Sequence, residues 1–251
     1  MFGLKPQFTI SRRSLAVCMT LLMLTAHVPV TQAALTISAT RVVFGSDKRS
    51  TTVIVANPSN RPFAVQTWVN TASDDDTTAV PFIPSPPLFR LNPGKEQQVQ
   101  INGLPNTLPS DRESLFYFNV QEIPQAEAND SNVLNIALRT RIKLFYRPTQ
   151  LKDNPITRLK DLQWSIKDIG GQPHLVVNNP TPFHVSFARL EVAGNGQNHA
   201  VKKAAMVEPL NSQTYALSGV KSSHGLQVVF SAINDYGGFT EPLTLPIQLA
   251  P

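Results

Sequence analysis

Leu134-Asn135-Ile136-Ala137-Leu138-Arg139-Thr140-Arg141-Ile142 alternates large apolar residues with small or polar ones. In a strand, Leu134, Ile136, Leu138, Thr140 and Ile142 share one face, and Asn135, Ala137, Arg139 and Arg141 share the other. Two readings fit this pattern. In one, the stretch is a half-buried antiparallel strand resting its apolar face on its own core. In the other, it lies at a sheet edge and shows that row to a partner. The rest of the chain decides between them.

The chain has 251 residues, enough for one large domain or two of roughly 100 each. Its 21 prolines and 12 glycines supply many turns, and charged residues are 16% of the total. With abundant Val, Thr, Phe and Ile, this composition predicts an all-β protein and excludes a disordered chain or a coiled coil. The first 33 residues read differently. Lys5, Arg12 and Arg13 precede an apolar run from Leu15 to Val28, and Thr31-Gln32-Ala33 offers small residues at a cleavage site. This is the pattern of a secretory signal peptide over residues 1–33, and the run is shorter than the ~20 residues needed to span a bilayer.

Cleavage there changes the charge. The segment holds three basic residues and no acidic one, so 22 Lys and Arg fall to 19, against 17 Asp and Glu. A net charge of +2 gives no support for nucleic-acid binding. The only cysteine, Cys18, leaves with the segment. The remaining 218 residues have no disulfide and must be held by core burial, which that length permits.

Short β-type runs then follow one another. In the first half they are Leu35–Phe44, Ser50–Ala56, Phe63–Val69, Phe82–Leu91, Gln97–Ile101, Leu115–Ile123 and Val133–Tyr146. The prolines in Phe82–Leu91 suit an edge or a strand that switches sheets. About seven strands with turns every 8–12 residues predict an immunoglobulin-like sandwich, with Trp68 as its core tryptophan. Pro148–Pro155 reads as a linker, after which seven more runs between Leu162 and Leu249 predict a second, smaller sandwich. The predicted domains are 34–152 and 153–251. Asp74-Asp75-Asp76 reads as a solvated loop without the flanking ligands of a calcium loop. No hydrolase elbow, P-loop, dinucleotide or zinc motif is present, and His184 reads as a strand residue. The expectation is no enzyme, no catalytic residue, no metal and no cofactor.

Three segments together are specific. They are Leu108–Pro124, Asn135–Leu138 running into Ile142-Lys143-Leu144-Phe145-Tyr146-Arg147-Pro148, and Asn234-Asp235-Tyr236-Gly237-Gly238. With Thr40-Arg41-Val42, they resemble the periplasmic pilus-assembly chaperones of Gram-negative bacteria, over both predicted domains. Gln125 departs from the family's usual residue after Pro124, at a loop position. The resemblance implies two immunoglobulin-like sandwiches set as an L, and a periplasmic chaperone that folds and caps fimbrial subunits by donor-strand complementation in a 1:1 complex. An outer-membrane usher would receive the subunit. Leu134, Ile136 and Leu138 would be the donated row, Arg41 and Lys143 would hold the subunit's C-terminal carboxylate, and Glu113, Arg147 and Asp235 would form a structural ion network between domains. The short connection Gln125–Asn132 resembles that of members serving rod-like fimbriae.

One geometric point stays open at this level. Lys143 is odd-numbered and the donated row is even, so a regular strand turns Lys143 to the opposite face. Either a bulge or passage of the strand into a cleft accommodates it. The exposed row also gives the free protein a surface on which to self-associate. No membrane insertion is expected. The rival readings are a secreted two-domain adhesion or structural subunit, which would lack its own last strand, and a β-sandwich hydrolase, for which no motif speaks.

Overall fold

The computed structural model of the protein describes residues 35–249 apart from 76, 125–136, 195, 203 and 221–222. The signal-peptide stretch, Leu134 and Ile136 lie outside the described residues.

The first half contains β1 (Thr36–Ile37), β2 (Arg41–Gly45), β3 (Ser50–Ala56), β4 (Phe63–Asn70), β5 (Phe82–Ser85), β6 (Leu88–Leu91), β7 (Glu96–Gly103), β8 (Ser114–Pro124) and β9 (Arg139–Arg147). They form a four-stranded sheet in the order β1-β3-β7-β5 and a five-stranded sheet in the order β2-β9-β8-β4-β6. Alternating residues of both sheets meet in one core that includes Phe44, Val55, Val65, Ile101, Phe118 and Leu144. Phe82 stands edge-on to Phe44 at 5.2 Å and to Phe116 at 5.0 Å, the arrangement aromatic quadrupoles favour. A side chain of this size fully buried stabilises by about 1.5–3 kcal/mol, so these rows fix the register.

The run Leu35–Phe44 is not one strand. β1 pairs with β3 and β2 pairs with β9, so the chain changes sheets between them. The proline-rich run also changes sheets, with β5 on β7 and β6 on β4. Trp68 corrects the expectation of a core tryptophan. In β4 the core-facing buried row is Val65, Thr67 and Val69, which turns Trp68 and the buried Asn70 to the outer face, where the Arg139 guanidinium stacks 4.8 Å from the Trp68 ring.

The second half opens with a short 3-10 turn, Thr157–Asp161, followed by β10 (Gln163–Ile169), β11 (Gln172–Asn179), β12 (Phe187–Gly194), β13 (Gln197–Ala200), β14 (Asn211–Ala216), β15 (Gln227–Ala232), β16 (Leu243–Pro246) and β17 (Gln248–Leu249). Its two sheets run β14-β11-β10-β17 and β13-β12-β15-β16. The buried tryptophan of the protein is here: Trp164 packs 5.3 Å from Phe230 within a core that includes Leu175, Val192 and Val228. Among the described residues no helix is long and apolar enough to cross a membrane.

Candidate functional site

Strand β9 organises the site because its two faces do different work. Ile142 and Leu144 enter the first core, while the odd positions point to the opposite face. Pairing with β8 continues without a break from Ser114↔Tyr146 to Gln121↔Arg139, so no bulge reorients the strand. Lys143, Phe145 and Arg147 therefore sit on the outer face of this sheet, and the second module packs there. Phe145 is 4% exposed yet outside the first core; its ring lies 5.3 Å from that of His184. The strand's own alternation delivers Lys143 to the space between the modules.

Arg41 and Lys143 are direct cross-strand neighbours in the parallel pairing of β2 with β9. The Arg41 Nη1 donates to the Ile233 carbonyl at 3.0 Å, and the Lys143 Nζ donates to the Ser186 hydroxyl at 3.0 Å. Neither has a carboxylate partner among the described residues. The Arg41 Nε is buried with no hydrogen-bond partner there. Burial lowers the Lys143 pKa and the Arg41 charge lowers it further; burial lowers that of Arg41 too, opposed by the charges of Asp235 and Glu113. Two partly desolvated cations side by side raise each other's cost, and an incoming anion would relieve both. Arg41, Ser186, Ile233 and Tyr236 line a cleft of about 340 Å³. Among the described residues no group of His, Cys, Asp or Glu is arranged to hold a metal.

Glu113, Arg147 and Asp235 come together at the base of this cleft. Arg147 donates from Nε to Glu113 at 2.7 Å and grips Asp235 bidentately, at 2.6 and 2.8 Å. Burial alone would lower the Arg147 pKa; hydrogen bonds to Asp235 and the charge of Glu113 outweigh it and raise the value. His184 is a further member that the sequence reading missed. It lies outside any strand, and both its backbone N–H and its ring Nδ1 meet Glu113 Oε2, at 2.8 and 3.1 Å. A second backbone link, Glu113 N–H to the Pro182 carbonyl at 2.9 Å, ties the modules at the same point. The Glu113 carboxylate is nearly inaccessible to water and is satisfied by three donors, as a buried charge must be.

The other end of β9 is uncovered. β2 pairs only with Lys143–Arg147, so among the described residues Arg139–Ile142 has β8 on one side and no strand on the other. Leu138, just before it, is 48% exposed, and its carbonyl accepts from Glu122 N–H at 3.0 Å. The outer-face side chains tie this edge to the rest of the first module. Arg139 bonds Asp74 and Asn119, and the Arg141 guanidinium lies 3.9 Å from the Tyr117 ring centroid. Asp74 pairs with both arginines, and the hydrogen bond from Arg139 lowers its pKa. The acidic loop at Asp74 is thus tied to the edge strand.

Two β-sandwiches meeting at a cleft that holds the Arg41–Lys143 pair beside it, with one strand half uncovered among the described residues, define a two-module binding protein. Residues 34–152 match the family described as pili and flagellar-assembly chaperone, PapD N-terminal domain, and residues 157–243 match pili assembly chaperone PapD, C-terminal domain. The chain is 40% identical over 227 residues to the chaperone protein FimB/FhaD of Bordetella pertussis, covering 87% of this chain and 90% of that one. It is 36% identical over 209 residues to the chaperone protein PapD of Escherichia coli, covering 82% and 84%. Among solved structures, the YadV chaperone superposes with a TM-score of 0.73 at 35% identity over 85% of this chain and all of that one. The SafB chaperone, solved in complex with the Salmonella enterica SafA pilin, gives 0.73 at 29% identity over 85% and 96%. The chain belongs to the pilus-assembly chaperone family.

Proposed function

We propose that the protein captures an unfinished pilus subunit in the periplasm by lending it the free edge of β9, and passes it to an outer-membrane usher. The observation that carries this reading is the juxtaposition of two features in β9. Its free edge at Arg139–Ile142 ends where the Arg41–Lys143 pair begins. A subunit strand laid along that edge would bond to the backbone, and its C-terminal carboxylate would lie against two cations whose burial already favours an anion. Leu138 would enter the subunit's open core, with Leu134 and Ile136 preceding it in sequence. Each such side chain contributes about 1.5–3 kcal/mol, so completing a core supplies the driving force without a nucleotide. An edge that shows apolar residues is one most proteins blunt; here it is the working surface. Glu113, Arg147 and Asp235 serve as a brace between the modules and make no subunit contact.

Leu138 tests the donated row. Leu138→Asp is expected to weaken the subunit complex roughly ten- to hundredfold, the loss of one buried aliphatic, in a pull-down of co-expressed subunit. Its melting temperature should stay near wild type, because the side chain is half in solvent. A sharp fall in melting temperature with unchanged subunit recovery would make Leu138 part of the protein's own core.

A further inference from the structure

The brace uses Asp235 alone from the segment Asn234-Asp235-Tyr236-Gly237-Gly238. The other residues build a fixed turn. Asn234 Oδ1 accepts from the N–H groups of Tyr236 and Gly238, at 3.0 and 2.9 Å. Asn234 N–H donates to the Gly238 carbonyl at 2.8 Å, and Gly237 N–H to the Asn234 carbonyl at 3.0 Å. Gly237 has φ +85°, and a Cβ there would collide with Thr40 Oγ1. The turn is thus pinned by the first module on both sides of Tyr236: Arg147 holds Asp235, and Thr40 abuts Gly237. On this rigid support the Tyr236 side chain is 96% exposed, and it lines the same cleft as Arg41.

An exposed aromatic on a flexible loop loses entropy when it is covered. One on a fixed turn has only its own two side-chain torsions left to order, so the entropic cost of covering it is small. We infer that Tyr236 is a contact made by the second module to the captured subunit, covering the apolar side chains next to the subunit's C-terminal carboxylate. This rests on the reading of Arg41 and Lys143 as the carboxylate anchor. The occupant follows from continuity: the turn abuts Thr40, the residue before Arg41, and shares its cleft. A strand advances about 3.3 Å per residue, so only the last few subunit residues lie near the anchor. Apolar side chains there suit the face of a phenol ring.

The test uses residues 34–251 and a pilus subunit that the wild type captures, unfolded in urea and diluted into wild type, Tyr236→Ala, Phe239→Ala and Lys143→Ala. Phe239 is the control: it is 73% exposed on the same loop but does not line the cleft. Tyr236→Ala is expected to lose about tenfold in affinity with an unchanged melting temperature, while Phe239→Ala keeps wild-type affinity. Wild-type affinity in Tyr236→Ala alongside failure of Lys143→Ala would overturn the inference and leave the anchor intact. Normal binding by Lys143→Ala would overturn both. Equal losses in Tyr236→Ala and Phe239→Ala would assign the effect to the loop and refute a specific contact. If Tyr236→Ala instead binds the subunit normally and abolishes self-association of the free protein, the turn's partner is a second copy, and the inference fails.

Discussion

Lys143→Ala and Arg41→Ala are each expected to abolish recovery of a 1:1 complex with a pilus subunit while leaving the melting temperature near wild type. The two halves of this expectation have one cause. In the free protein these cations are held at a cost: both are partly desolvated, they lie on adjacent strands, and neither has a carboxylate partner among the described residues. Truncating either loses one hydrogen bond to the second module but also relieves the desolvation of a partly buried cation, so the two effects offset. In the complex each would meet a carboxylate in a sheltered cleft, where losing one partner of a charge pair costs about 2–5 kcal/mol, or roughly thirtyfold to a few thousandfold. Periplasmic pull-down with tagged subunit, beside thermal melting of the purified variants, checks both halves. Wild-type recovery in both variants would remove the anchor from the mechanism.

Arg147→Ala has the opposite signature: a large loss of stability that precedes any effect on binding. Glu113 is 4% exposed, and Arg147 is the cation that neutralises it. Removing that cation leaves a buried carboxylate with the His184 donors alone. Breaking such a set by one member costs about 3–5 kcal/mol, even where the intact set contributes little net stability. For a protein of this size the melting temperature should fall by roughly 6–20 °C. Asp235→Ala should fall less, because the Asp235 side chain is 37% exposed and Glu113 keeps its partner. The double replacement Glu113→Leu with Arg147→Met should recover part of the loss, since the Glu113 charge is gone while the buried His184 donors lose their acceptor. Thermal melts of the three variants separate these cases. Equal, small shifts throughout would mean the network is not a brace.

Much of this was readable from local pattern, and the misses have physical reasons. The all-β class followed from short alternating runs between turn residues, and the prolines of Phe82–Leu91, which cannot donate to a ladder, pointed to an edge or a sheet switch; β5 and β6 are edge strands of different sheets. The break in Leu35–Phe44 was visible in principle. Its apolar residues are odd at Leu35 and Ile37 and even at Val42 and Phe44, and a single strand cannot change parity without a break or bulge. Trp68 was misplaced for a related reason. Its neighbours of equal parity, Ala64 and Gln66, are small or polar, whereas Val65, Thr67 and Val69 carry the buried face. Hydrophobicity of one residue was weighed above the parity of its row.

Other features had no local signal. The partner of His184 is Glu113, 71 residues earlier, and nothing near Phe183-His184-Val185 marks it. The reach of Arg41 to Ile233 spans 192 residues. The direction of Lys143 was open because an alternation states only that a side chain faces away from one core, not what packs on the other side. The second module supplies that surface, which makes the outer face of β9 a cleft wall.

A subunit strand is expected to add along the edge of β9 that no described strand covers. Amide hydrogen exchange across Arg139–Ile142, in the free protein and in its purified subunit complex, tests it most directly. In an antiparallel pair alternate N–H groups point away from the partner strand, so part of this stretch should exchange freely until a second strand covers it. Those outward amides should slow markedly in the complex. Unchanged exchange along Arg139–Ile142, with new protection on another surface, would contradict it.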